Sequence, residues 1–190
     1  MLGNRDVPMI RLRELQPADK EKLRTWRNKP ELAIHMYADH HISAEEHGQW
    51  FLRTATDPTR RYWIIVYDES DVGLVNIYDL DWQNQRCYWA FYIADPSTRG
   101  KGVGSFVEYS ILHYVFDDQG LNKLCCEVLA SNEAVVSMHK SFGFRQEGLY
   151  REHIIKRGQP LDVVTLAIFR REWEDRKLEM ESRLRKKELL

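Results

Sequence analysis

Arg99-Gly100-Lys101-Gly102-Val103-Gly104 packs three glycines and two cations into six residues. Glycine lets successive backbone N–H groups turn toward a single anion. An apolar strand pattern over residues 88–93 precedes this loop, and an apolar-faced helix opens at Ser105. A helix start adds unsatisfied donors and a partial positive charge to the full charges of Arg99 and Lys101. Such a site suits a pyrophosphate. A plain strand-to-helix turn is the competing reading. Two other nucleotide motifs fail on spacing. The Walker loop needs Ser or Thr after its lysine, and Gly102 follows Lys101. The dinucleotide fingerprint needs G-x-G-x-x-G early in a βαβ unit, and here G-x-G-x-G follows three strands.

A second stretch follows about 30 residues on: Asn132-Glu-Ala-Val-Val-Ser-Met-His-Lys-Ser-Phe-Gly-Phe144. Together the two resemble the signatures of the GNAT superfamily of N-acetyltransferases. Arg99, Gly102 and Gly104 match its Arg/Gln-x-x-Gly-x-Gly/Ala pattern, and the later stretch matches its Asn…Ala…Tyr-x-x-x-Gly-Phe helix. The likeness spans residues 9–170. It implies an α/β (α+β) fold, a mixed and mostly antiparallel sheet flanked by helices. It also implies acetyl-CoA as cosubstrate and no metal. The pyrophosphate would lie on Arg99, Gly100, Lys101, Gly102, Val103, Gly104 and Ser105. The pantetheine would add like an extra strand beside Phe91, Tyr92 and Ile93, splayed from the strand near Val128. Asn132 and Lys140 complete the implied cofactor set. Asn132 also reads as a helix N-cap, and the two roles are compatible.

Acetyl transfer to an amine makes three demands. The amine must shed a proton, the carbonyl oxygen needs a donor, and the thiolate takes a proton as it leaves. Direct attack with both substrates bound is what the superfamily implies, so proximity supplies much of the rate. Glu127, on the strand expected beside the acetyl group, is the candidate base; the alternative is a partly exposed strand carboxylate. His139 stands where the superfamily has a tyrosine that protonates the sulfur. A histidine offers either protonation state near neutral pH, or serves structure alone. The backbone N–H near Ile93 is the expected oxyanion donor.

For the acceptor a narrower likeness exists. Trp26-Arg-Asn-Lys-Pro30, Met36-Tyr37, Ile42-Ser43, His47, Trp50, Tyr62-Trp63, Gly73, Asn76-Ile-Tyr-Asp-Leu-Asp81 and Trp89-Ala-Phe-Tyr92 are similar to the N-acetyltransferases of pseudaminic acid biosynthesis. Those act on the 4-amino group of a UDP-linked 4-amino-4,6-dideoxy sugar, later attached to bacterial flagellin. On that likeness Met36, Tyr37 and Trp50 would sandwich a uracil. Arg27 and His47 would meet its phosphates. Asn76 and Tyr88 would bind the sugar near the amine, with Asn76 in the catalytic set. Ordinary helix-face packing competes for Trp26, Met36 and Trp50. Protein N-terminal (ribosomal-protein-type) acetylation and polyamine acetylation are the alternatives, the latter using Asp39, Glu45, Glu46, Asp79 and Asp81. A non-catalytic CoA-binding module is the third reading, resting on the missing tyrosine.

The elements that must hold these residues are legible from periodicity. Residues 9–13 alternate as a strand. Gln16-Pro17-Ala18-Asp19 opens a helix through Leu23 and Trp26, broken at Asn28-Lys29-Pro30. Ser43-Ala-Glu-Glu46 reads as a capping box before a helix through His47, Trp50 and Phe51. Residues 61–67, 72–80 and 86–93 are strands joined by short turns, hence antiparallel. Helices over 105–116 and 132–142, a strand over 124–129, and strands over 148–155 and 163–169 complete the expected domain, 9–170. Residues 171–190 form a charged C-terminal helix, read as a solvated face or, alternatively, a homodimer contact.

Composition sets the outer bounds. The chain has 190 residues, enough for one domain with a sizeable core. A net charge of −1 argues against a general nucleic-acid surface. Cys87, Cys125 and Cys126 have no metal-ligand spacing and read as buried free thiols. No apolar run reaches the ~18 residues of a membrane span, and residues 1–8, read as a disordered lead, carry no signal-peptide core. The expectation is a cytoplasmic protein that needs no membrane.

Overall fold

Strand alternation sorts the apolar residues onto two faces of one sheet. The computed structural model describes residues 9–190, so the lead expected over residues 1–8 lies outside the described residues. Among the described residues the sheet has seven strands: β1 (Ile10–Glu14), β2 (Arg61–Tyr67), β3 (Ser70–Asp81), β4 (Arg86–Ile93), β5 (Lys123–Leu129), β6 (Arg145–Lys156) and β7 (Gln159–Phe169). Their order is β1-β2-β3-β4-β5-β7-β6. Every pairing is antiparallel except β4 with β5, which is parallel. The helices are α1 (Lys20–Arg27), α2 (Pro30–Ala33), α3 (Ala44–Thr56), α4 (Val103–His113), α5 (Glu133–Phe142) and α6 (Arg170–Arg185).

Ile65, Val75, Ile77, Cys87, Trp89, Leu124 and Cys126 point to one face and form the larger core with side chains of α4, α5 and α6. Their sequence neighbours Ile64, Val66, Leu74 and Tyr92 point the other way, onto Leu23, Leu32, Trp26 and Phe51 of the first three helices. The smaller core is tied to the sheet edge by charge. Arg13 on β1 binds both oxygens of Asp19, at 2.7 and 2.8 Å, and also reaches Asp71 on β3. Lys22 on α1 bonds both carboxylates.

Three expectations change. Ser43 caps α3 by accepting from the Glu46 N–H at 3.1 Å, but the Glu46 carboxylate binds His40 instead of completing a capping box. The helix after the glycine loop starts at Val103, two residues early, because Gly102 adopts a left-handed φ of 82° that no side chain favours. It ends in a π-helical turn, Tyr114–Asp118. The charged C-terminal helix is solvated over most of its surface, as expected, but not all round. Trp173, Met180 and Leu184 lie on one stripe and are buried in the larger core. The Trp173 Nε1–H donates to Asp117 at 3.2 Å, and Arg170 donates to the Phe116 carbonyl at 2.6 Å, so α6 secures the π turn.

Candidate active site

The parallel pair β4/β5 holds only where residues 86–88 face 123–125. Beyond Tyr88 and Cys125 the two strands part, and the β4 edge is left without a partner strand among the described residues. A Cβ on Gly73 would lie 2.2 Å from the Tyr92 carbonyl oxygen, so that carbonyl faces β3. The Ala94 N–H likewise donates to Val72 on β3 at 2.7 Å. By alternation the backbone groups of Phe91 and Ile93 face the open edge. An extended amide-bearing arm can pair there. Tyr92 does not belong to that edge: its backbone serves β3, and its ring meets Trp26 edge-on in the smaller core, 6.4 Å between centroids.

The glycine loop closes one end of the split. Gly100 and Gly102 take φ of 76° and 82°. The amides of Val103, Gly104 and Ser105 form the first turn of α4 and have no acceptor inside the helix. A Cβ on Gly104 would meet Met138 Sδ at 3.3 Å and the Phe91 ring at 3.9 Å, so loop, β4 and α5 converge at that point. Arg99 is exposed and forms no ion pair among the described residues. Lys101 sets its ammonium over the Tyr67 ring, 5.1 Å from the centroid, which anchors the loop to β2. Asn132 occupies the N-cap position of α5 without a side-chain cap bond, leaving the expected capping role unmade. Lys140 is exposed on α5. Donors, glycine cradle and open strand edge fit a thioester carried on a diphosphate arm.

Glu127 and His139 lie on opposite faces of the split. Glu127 shares a face with Tyr88 and Tyr78, which stack at 5.5 Å. Tyr37 reaches across from the segment after α2 and donates to Glu127 Oε2 at 2.8 Å. Burial and the Glu127 charge push the Tyr37 phenol up, and burial does the same for Tyr78, so both stay protonated donors at neutral pH. A cavity of about 590 Å³ opens here, lined by Tyr78, Asp79, Asp81, Arg86, Tyr88 and Glu127 among others. Asn76 sits on the same face, between Tyr62 and Ala90 in register, with no side-chain hydrogen bond among the described residues. His139 is buried beneath the other face. Its ring packs against Trp89 at 5.1 Å and Phe144 at 5.3 Å, and its Nδ1 lies 2.9 Å from Glu108 Oε1.

The expected nucleotide-binding group divides. His47 is buried, and its Nε2 lies 2.8 Å from the Lys20 carbonyl while its ring stacks on Trp50 at 5.0 Å. It joins α3 to α1 and is not presented to a phosphate. Burial lowers its pKa, so it stays neutral there. Met36 and Trp50 pack on the smaller core, which is the competing reading for both; only Tyr37 of the three reaches the cavity side. Arg27 keeps its guanidinium free of any carboxylate among the described residues, and its buried Nε has no partner.

Two residues that build the site are absent from the sequence reading. Lys156, at the end of β6, donates to the carbonyls of Ala33, Ile34 and Met36 at 2.6, 2.9 and 2.7 Å. It thereby fixes the segment that carries Tyr37. The Arg157 N–H adds a bond to Asp39 at 2.7 Å. Glu108 is the other. Its only hint is a lone carboxylate in an apolar stretch, four residues after Gly104.

A profile described as the acetyltransferase (GNAT) domain matches residues 10–145. The chain belongs to the GNAT acetyltransferase family. Acetyl-CoA is therefore its acetyl donor, and the chain is an N-acetyltransferase. Among similar proteins, the acetyltransferase PseH of Campylobacter jejuni (serotype O:23/36, strain 81-176) is 26% identical over 139 residues, 72% of this chain and 85% of that one. The spermidine N(1)-acetyltransferase of Escherichia coli K12 is 21% identical over 164 residues, 86% of this chain and 88% of that one. A crystal structure of spermidine N-acetyltransferase from Vibrio cholerae, in complex with CoA and spermine, superposes with a TM-score of 0.81 at 20% identity, covering 87% and 98% of the two chains. Among the described residues of this GNAT protein, no group of three or more His, Cys, Asp or Glu side chains is placed to hold a metal ion. No described helix is long and apolar enough to cross a membrane. Cys87, Cys125 and Cys126 are free and buried, and burial pushes the Cys87 thiol up to about 12.

Proposed function

We propose that this acetyltransferase acts on a primary amine of a nucleotide sugar, the 4-amino group of a UDP-linked 4-amino-4,6-dideoxy sugar. The charge balance of the acceptor side carries the reading. Asp79 and Asp81 each face an arginine, Arg60 and Arg86, at 3.6 Å. Glu127 is then the one carboxylate lining the cavity that meets no cation among the described residues, and Arg27, which lies outside that lining, forms no ion pair among them. One negative group for one amine, and one positive group for a diphosphate, suits an anionic acceptor with a single amino group. A polyamine brings several positive charges and needs several unpaired carboxylates. The likeness to PseH over 72% of the chain supports the same choice.

Acetyl-CoA supplies the acetyl group as an activated thioester. Glu127, directly or through water, takes the proton of the attacking amine. Asn76 and Tyr88 orient the sugar, and the N–H groups of the open β4 edge stabilise the carbonyl oxygen as charge builds on it. His139 protonates the departing sulfur from the opposite face.

A screen of CoA release with UDP-4-amino sugars, spermidine and N-terminal peptides tests the acceptor. Turnover with the nucleotide sugar, and a rise of about tenfold or more in its KM for Arg27→Ala with acetyl-CoA KM unchanged, is the expected result. Turnover confined to spermidine or a peptide overturns the reading.

A further inference from the structure

The reaction just described uses His139 but leaves its buried partner, Glu108, without a role. Glu108 has no exposed surface, on a helix that otherwise sends Val107, Ile111 and Leu112 into the core. A lone buried carboxylate is costly, and only a specific partner sustains it. That partner is the His139 Nδ1, 2.9 Å away, on α5. Glu108 Oε2 is buried with no hydrogen bond, so the carboxylate serves the ring and nothing else among the described residues. The remaining walls are aromatic: Trp89 and Phe91 of β4 and Phe144 beyond α5. Behind Glu108, on β5, lies the Cys126 thiol, buried and pushed well above its ordinary range, hence neutral. The ring's other nitrogen, Nε2, has no partner among the described residues. Trp89 and Phe91 are the β4 residues that bound the split, so the ring is held at the place where the strands part.

We propose that Glu108 is a positioning residue for acetyl transfer: it fixes His139 through Nδ1 so that Nε2 carries the proton that goes to the departing sulfur. This rests on the transferase reading above. Burial disfavours net charge in the pair and pushes the Glu108 carboxyl up. The net-neutral pair holds two protons, one shared between Glu108 and Nδ1 and one on Nε2. As the amine nitrogen forms its bond to the acetyl carbon, the C–S bond breaks and its electron pair goes to sulfur. Nε2 gives sulfur its proton, and the amine's proton leaves through Glu127. Solvent then returns one proton from Glu127 to the ring. A carboxylate that orients a histidine through its other nitrogen also sets which nitrogen bears the proton.

The experiment pairs spectroscopy of the substrate-free protein with kinetics. Nitrogen-15 spectra of the His139 ring are expected to show a protonated Nε2 in the wild type and a changed ring-proton distribution in Glu108→Gln. The same variant is expected to lose about 10- to 100-fold in kcat, with acetyl-CoA KM unchanged within twofold. In a His139→Phe background, Glu108→Gln is expected to cost nothing further in kcat. A bare Nε2 in the wild type overturns the proposal, even if Glu108→Gln does not fold. An undiminished kcat in Glu108→Gln, or an equal loss in the His139→Phe background, also overturns it. Absence of turnover with UDP-4-amino sugars sinks the acceptor reading alone, since the ring spectra need no acceptor and the kinetics run with whichever amine is accepted.

Discussion

Glu127 and Tyr37 meet although 90 positions separate them in the chain. The phenol orients the carboxylate toward the cavity, and its raised pKa means it donates throughout the neutral range. Glu127→Gln keeps the shape and the bond from Tyr37 but loses the base; kcat is expected to fall about 100-fold or more, within the range of general-base removal, with acetyl-CoA binding intact by calorimetry. Tyr37→Phe leaves the base and loosens it, so a smaller fall, about tenfold, is expected. If Tyr37→Phe costs as much as Glu127→Gln, the phenol touches the reacting atoms itself. Glu127 was legible through the family likeness, which places its strand beside the acetyl group. Tyr37 was read as a base-stacking group, because nothing in local spacing reveals a contact made across the fold.

At the scale of elements, alternation and glycine placement located most of what matters. Residues 61–67 and 86–93 read as strands from apolar and aromatic alternation, and the structure has them over the same bounds, because a half-buried strand exposes its period directly. The split between β4 and β5 came only through the family likeness, since loss of pairing leaves no mark on composition. The segment between α2 and α3 was opaque for a related reason. Its conformation is set from outside, by the three carbonyl contacts of Lys156. Lys156→Met keeps most of the stem's volume and removes all three donors. Faster hydrogen exchange over residues 33–39 is expected, with a rise of about tenfold in acceptor KM and none in acetyl-CoA KM. Unchanged exchange there means that the β6–β7 hairpin does not hold the acceptor segment.

For the whole molecule, the sequence misled where charge hid packing. Residues 170–190 are so rich in both signs that Trp173, Met180 and Leu184 escape notice, yet their spacing puts them on one stripe facing the larger core. The smaller core is likewise secured by ions at its rim. Arg13 grips Asp19 through both carboxylate oxygens, and that contact first of all holds the Asp19 carboxyl down at about 2. Asp71, against the same cations, is lowered as well. A depressed carboxyl stabilises the fold fully above its unfolded pKa near 4, and the contribution fades as pH falls from there toward 2. The Asp19 shift corresponds to about 2 kcal/mol at neutral pH. Urea unfolding of the wild type and Asp19→Asn should therefore differ by about that amount at pH 6. The gap should narrow below pH 4 and be nearly closed at pH 2, because there the unfolded carboxyl is protonated and the folded one, at its own pKa, is already half protonated. A gap that stays constant from pH 6 to pH 2 would show that Asp19 acts through shape alone, and that the clamp joining α1 to the sheet owes nothing to its charge.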